Sequence, residues 1–166
     1  MDVNLDSLTD DMRLAIWIVI GARLLIWGFY ANTVRKTMLR IADENRFFQP
    51  GQAWLLAVPI FNIYWNFVVA RRLSDSLNNE FFDRKVAEEE RPGLASGMSY
   101  AWMFLLSHIP LPPFLMMAFM ILSIVYFIQY WVKVNNFRAL LIEHDLFLKQ
   151  EPRQKEKGES NADEIT

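Results

Sequence analysis

Residues 13–31 read RLAIWIVIGARLLIWGFYA, and this run sets the class of the fold. Its nineteen residues would extend about 28 Å as an α-helix, close to the roughly 30 Å of a bilayer's hydrocarbon core. Only Arg13 and Arg23 carry charge within it. The residues before it are acidic and no small-residue cleavage pattern follows, so a secretory signal peptide is not expected. The run predicts a membrane-spanning helix.

Two further apolar blocks follow the first. Residues 53–70, AWLLAVPIFNIYWNFVVA, come after the turn pair Pro50-Gly51 and predict a second span. The third block, at about 94–133, is too long for one span, and Pro110-Leu111-Pro112-Pro113 interrupts it, because three prolines in four residues cannot continue a helix. The prediction is an all-α integral membrane bundle of four transmembrane helices, at about 13–31, 53–70, 94–109 and 114–133. An alternative is that the last two form a re-entrant hairpin around the tight PLPP turn.

The composition excludes several classes of protein. The chain has 166 residues, which suits one domain, with 17 Lys and Arg against 19 Asp and Glu. This balance excludes a broadly basic protein that coats nucleic acid, so no nucleic-acid partner is expected. The absence of cysteine excludes disulfides, thiolate metal sites and thiol nucleophiles.

The distribution of Lys and Arg predicts the orientation. An even number of spans places both termini on one side, which then carries twelve Lys and Arg residues against four on the other. By the positive-inside rule, both termini are expected in the cytoplasm. The first helix alone indicates the opposite, because one charge precedes it and four follow it (Arg35, Lys36, Arg40 and Arg46).

Two amphipathic stretches extend the predicted spans into the cytoplasm. Residues 71–90 contain no Gly or Pro, and residues 134–149 continue the last span in the same way. In the first stretch an apolar stripe recurs at four-residue spacing, formed by Leu73, Leu77 and Phe81. The stripe either packs on the protein's own helices or forms a partner-binding face. The composition of residues 150–166 predicts a disordered tail.

Arg23 lies next to the midpoint of the first span. A charge at this depth costs about 2.5–3.5 kcal/mol on insertion scales, and the predicted spans contain no Asp or Glu to compensate it. Pro59, Asn62 and Asn66 line one face of the predicted second span, where Pro59 would also leave the Leu55 carbonyl without its helical partner. The hypothesis is that Arg23 points into the bundle, toward Asn62 and the backbone near Pro59.

Three interpretations of this polar cluster remain open. The residues either join helices through hydrogen bonds, or bind an anion or a lipid head group, or line a pore in an oligomer.

Residues with catalytic potential are few. His108 and Ser107 are neighbours at a helix end and are not expected to form a nucleophile–base pair, while His144 stands beside two carboxylates in an amphipathic stretch. The sequence contains no HExxH motif, no Gly-rich phosphate loop and no paired carboxylates at membrane depth. No catalytic residue, metal site or cofactor is expected.

Residues 46–82 carry a recurring pattern: Arg46, Pro50-Gly51, Trp54-Leu55, Pro59-Ile60-Phe61-Asn62, Trp65, Phe67, Ser76-Leu77 and Glu80-Phe81. The segment resembles a group of small uncharacterised bacterial multi-pass membrane proteins with the pattern R-x3-PG-x2-WL, then IP-x-FN-x2-W-x-F, then SL-x2-EF. Val58 stands where that pattern usually has Ile. The resemblance implies a multi-pass protein of a bacterial inner membrane and implies no activity.

The function expected from the sequence is that of a non-catalytic scaffold or accessory subunit in the cell membrane. It would act through contacts with the lipid bilayer, with a membrane protein partner or with further copies of itself. The alternative is a small oligomeric transporter or channel that uses the Arg23–Asn62–Asn66 cluster.

Overall fold

The computed structural model describes residues 9–86 and 89–163, with side chains as far as residue 150. This part of the chain is all-helical, as predicted, and contains no strand. The α-helices are α1 (Asp10–Met38), α2 (Phe61–Asp83), α3 (Leu94–Leu106) and α4 (Pro113–Asp163), and two 3₁₀ helices, Asp43–Asn45 and Pro50–Ala57, precede α2.

Helices α1 and α4 are long and apolar enough to cross a membrane. Only 17% of the apolar window of α1 and 11% of that of α4 are buried within the chain. A helix that is apolar all round is stable when an apolar medium or partner covers it. These two helices therefore present their apolar side chains outward.

The predicted second span, 53–70, is not one helix. The 3₁₀ helix ends at Ala57, the backbone turns at residues 58–60, and α2 begins at Phe61. Pro59 explains the break, because proline clashes with the preceding helical turn and pushes the residue before it into extended backbone. Val58 has φ −80° and ψ 116°, and its N–H donates to the Leu55 carbonyl at 3.3 Å. The Leu55 carbonyl is thus paired, contrary to prediction.

The break changes the direction of α2. An Arg84 Nη2–H at the end of α2 donates to the Arg40 carbonyl just after α1, at 3.0 Å. The start of α2 lies instead beside the middle of α1, where Asn62 and Arg23 line one cavity. Helices α1 and α2 therefore run in the same direction, whereas two consecutive spans joined by a loop, as predicted from 13–31 and 53–70, would run in opposite directions.

Helix α4 also runs parallel to α1, and α3 runs antiparallel to them. Trp131 Nε1–H donates to Thr33 Oγ1 at 3.0 Å, and Arg40 pairs with Asp145 further along both helices. The beginning of α1 and the end of α4 consequently lie at opposite ends of the bundle.

Helix α3 is shorter than predicted. Its 13 residues extend about 20 Å, less than a bilayer core. Helix α4 begins at Pro113, where the fixed φ of proline suits a first helical turn and its missing N–H costs nothing.

The backbone at the chain's C-terminus differs from the prediction of disorder over 150–166. Helix α4 continues through Asp163, and residues 164–166 lie outside the described part. Glu, Gln, Lys and Arg in this segment are good helix formers, although Pro152 and Gly158 are poor ones, and an existing helix extends without a new nucleation cost.

The two ends of the bundle differ in packing. Trp27 is the first buried residue of α1, and its ring packs on Phe104 with centroids 5.2 Å apart. Before it, residues 10–26 of α1 are not buried, and neither are residues 113–122 of α4. We call these two segments the open end. The closed end is where Arg40, Arg84 and Asp145 meet.

A buried carboxylate holds the closed end together. Glu80 Oε2 accepts hydrogen bonds from the Ala42 N–H at 2.9 Å and from Asn45 Nδ2 at 3.0 Å, and Oε1 accepts from Arg84 Nε at 2.7 Å. Arg84 also donates to Asp145 at 2.7 Å. Burial lowers the pKa of Arg84, but its hydrogen bonds to Glu80 and Asp145 outweigh this and leave the pKa raised.

Candidate functional site

The apolar stripe of α2 belongs to the core. Leu73, Leu77 and Phe81 are 1%, 1% and 3% exposed, and Phe81 packs on Phe137 of α4 with ring centroids 5.8 Å apart. The partner-binding interpretation of this stripe is therefore wrong. The physical reason is that α3 and the two 3₁₀ helices pack against α2, while Phe137 of α4 packs on Phe81.

A cavity lies where the packed core meets the open end. Its volume is about 290 Å³. Polar or backbone-breaking positions on its wall are Arg23, Pro59, Asn62 and His108, and its apolar wall consists of Ile20, Leu24, Trp27, Ala57, Ile60 and Ile63. The structure thus brings together three of the four residues in the predicted polar cluster.

Arg23 is held by His108, which the sequence analysis did not connect with it. An Nη2–H of Arg23 lies 3.2 Å from His108 Nε2. Because a guanidinium has no acceptor, Nε2 must accept, which places the ring proton on Nδ1. Nδ1 lies 2.7 Å from the Phe104 carbonyl, a suitable acceptor for that proton. A neutral imidazole therefore orients the arginine. No local sequence signal links the two residues, because 85 positions separate them.

Asn62 contributes an amide to the cavity wall. The residue is 4% exposed, and its side chain makes no hydrogen bond with the described residues. Pro59 and Ile60 form the turn that carries α2 to this position, and Ile60 takes a φ of 66°, which is unusual for a β-branched residue. Arg23 and Asn62 share the cavity without a direct hydrogen bond between them.

Asn66 is separate from the cavity. It is 2% exposed and donates through Nδ2 to the Tyr100 hydroxyl at 3.3 Å. Its Oδ1 is buried without a hydrogen-bond partner among the described residues. Asn66 joins α2 to α3 and is the one predicted cluster member that does not line the cavity.

Ser107 and His108 lie closer together than predicted. Ser107 Oγ is 3.1 Å from His108 Nδ1, because α3 ends at Leu106 and both residues stand in its terminal turn. The Ser107 hydroxyl donates to the Phe104 carbonyl at 2.7 Å, and the Nδ1 proton leaves no base facing it. No group of three potential metal ligands occurs in the part of the chain that the structure describes.

Several residues of the 46–82 pattern stabilise the return of the chain from α1 to α2. Arg46 Nε donates to the Met38 carbonyl at 2.8 Å and so caps the end of α1. Ser76 Oγ accepts from the Phe47 N–H at 2.9 Å, and Trp65 Nε1 donates to the Gln52 carbonyl at 3.1 Å. These contacts, with those of Glu80, give the pattern a structural role.

A comparison of the chain with protein families, with curated proteins and with solved structures finds no match.

Proposed function

We propose that the chain is a multi-pass protein of a bacterial inner membrane that acts as a non-catalytic scaffold or accessory subunit. The observation that carries this proposal is the open end. There, residues 10–26 of α1 and 113–122 of α4 present apolar side chains that the described chain does not cover. Lipid, or the membrane segment of a partner protein, is the medium that would cover them.

The proposed orientation places the closed end in the cytoplasm and the N-terminal end of α1 outside. Of the 17 Lys and Arg residues, only Arg13 and Arg23 belong to the open end. Because α1, α2 and α4 run in parallel, the basic residues that follow α1 lie on the same side as most Lys and Arg residues of the rest of the chain. The positive-inside rule therefore gives one orientation for the first helix and for the whole chain. This proposal replaces the expectation that both termini are cytoplasmic.

Membrane insertion is tested by a charge in the exposed wall of α1. Val19 is 67% exposed, and we expect Val19→Asp to cost about 2.5–3.5 kcal/mol of insertion free energy. The measurement is the fraction of protein that stays in the membrane pellet after alkaline carbonate extraction, which should fall sharply. Phe82→Asp is the matched control, since Phe82 is 83% exposed but lies outside both apolar windows. Equal retention of both variants, or extraction of the unmodified protein, would refute the proposal.

The accessory role is tested by cross-linking in the membrane. A photoreactive amino acid at Trp17, which is 70% exposed in the open end, should give adducts with lipid or with one discrete membrane protein. The same group at exposed Glu143, at the closed end, is the control and should give neither. Equal adduct patterns at both positions would contradict a specific role for the open end.

The cavity supports a second candidate, a small oligomeric transporter or channel. Arg23, Asn62 and His108 line it, while Asn66 lies deeper beside Tyr100. This candidate requires that Arg23→Ala abolish a solute flux in reconstituted vesicles without changing assembly. The scaffold proposal expects no such flux from the unmodified protein.

A further inference from the structure

The cavity beside α1 carries a positive charge that no neighbouring carboxylate neutralises. Arg23 has five N–H donors, and the described structure shows one contact, with the neutral ring of His108. The other residues that line the cavity include neither Asp nor Glu. Arg23 is exposed at the edge of the cavity, so its remaining N–H donors can be reached from the outer surface of the bundle. A guanidinium binds oxyanions through charge-assisted hydrogen bonds.

Asn62 provides an independent indication of a ligand. The residue is 4% exposed and lines the same cavity, and its amide opens onto the cavity without a hydrogen-bond partner among the described residues. An amide on the wall of a largely enclosed cavity has donors and an acceptor free for whatever occupies that cavity. Its N–H₂ group would provide two donors for an oxyanion held by Arg23.

The rest of the wall selects an amphiphile over a small polar ion. Ile20, Leu24 and Ile60 line the cavity and are also 42%, 44% and 84% exposed, so the cavity continues into the apolar outer surface. Its volume of about 290 Å³ accommodates a head group but not a whole lipid. An apolar tail would then lie along the exposed side chains of α1.

We propose that this cavity binds the anionic head group, a phosphate or a carboxylate, of a membrane amphiphile. Arg23 binds the oxyanion, the Asn62 amide donates to it, and His108 positions Arg23. This inference rests on the proposed membrane location and adds the ligand class to it.

The test uses the full-length protein in an uncharged detergent, with thermal unfolding as the readout. Phosphatidylglycerol should raise the Tm in a concentration-dependent manner, while phosphatidylcholine and inorganic phosphate should not. Arg23→Gln should weaken the apparent affinity for phosphatidylglycerol by about tenfold or more. Lys36→Gln, which removes an exposed charge from the same helix outside the cavity, should leave that affinity unchanged.

A second variant separates ligand binding from folding. Asn62→Asp keeps the shape of the side chain and adds a negative charge to the cavity, so it should also abolish the stabilisation by phosphatidylglycerol. Unchanged stabilisation of both cavity variants, or equal stabilisation by phosphatidylcholine, would overturn the site. Stabilisation by inorganic phosphate alone would overturn the amphiphile and indicate a free anion. A protein that resists carbonate extraction but shows none of these effects keeps its proposed membrane role and loses this site.

Discussion

Glu80→Ala should destabilise the protein by about 3 kcal/mol, because it removes one partner of a buried ion pair and leaves Arg84 with Asp145 as its remaining carboxylate partner. The Glu80 side chain is 5% exposed and that of Arg84 is 15% exposed, so water screens this pair little. The substitution also removes the acceptor of the Ala42 N–H and one acceptor of Asn45. The measurement is the free energy of unfolding in mild detergent, obtained by titration with a denaturing detergent.

Glu44→Ala is the control for this prediction. Glu44 lies in the same return segment and is exposed, so its loss should change the free energy of unfolding by less than about 0.5 kcal/mol. Similar small effects of both substitutions would show that the Glu80 cluster does not hold the closed end together.

Leu77→Ala should cost about 2–5 kcal/mol of stability, the range for a buried leucine whose removal leaves a cavity. Leu77 is 1% exposed and belongs to the stripe that packs against the protein's own helices. A partner-binding stripe would behave differently, because its truncation would weaken an association and leave the isolated chain stable. The same unfolding titration on the purified protein distinguishes the two.

Phe82→Ala is the matched control on the same helix. Phe82 is adjacent to the stripe and 83% exposed, so its truncation should leave the free energy of unfolding nearly unchanged. A Leu77→Ala variant as stable as Phe82→Ala would contradict the packing described for α2.

The long apolar runs could be predicted from the sequence because their signal is local. Residues 13–31 lie within α1, and the PLPP turn correctly separated α3 from α4. The hydropathy of a segment determines its free energy of membrane insertion, and a proline interrupts a helix locally. Neither effect depends on the neighbouring helices. Helix presence and type were therefore recoverable.

The relative direction of the helices was not recoverable in this way. Residues 53–70 have the length and hydropathy of a span, and only the geometry at Pro59 divides them into a 3₁₀ helix and the start of α2. Once that break exists, α2 runs parallel to α1, although Arg23 and Asn62 still line one cavity. The sequence analysis considered the backbone N–H that Pro59 lacks. The larger effect of Pro59 is to end the 3₁₀ helix and change the direction of the chain before α2.

The sequence predicted only part of the polar cluster, because the cluster depends on contacts between helices that are distant in the chain. The free-energy cost of a charge at the depth of Arg23 and the helical spacing of Pro59 and Asn62 indicated that these residues belong together. The structure places all three on the wall of one cavity. His108 was missed because its contact with Arg23 spans 85 positions and depends on where α3 ends. Asn66 shares a helix face with Asn62, but it is covered by Tyr100 and faces the core.

The most direct test of the account is single-cysteine labelling in intact cells, which the natural absence of cysteine makes free of background. Asp10→Cys, at the open end of α1, and Glu143→Cys, at the closed end of α4, are both at exposed positions. We expect a membrane-impermeant maleimide to label the cysteine at position 10 in intact cells and the one at position 143 only after permeabilisation. Labelling of both positions only after permeabilisation, or of both in intact cells, would contradict the parallel crossing of α1 and α4.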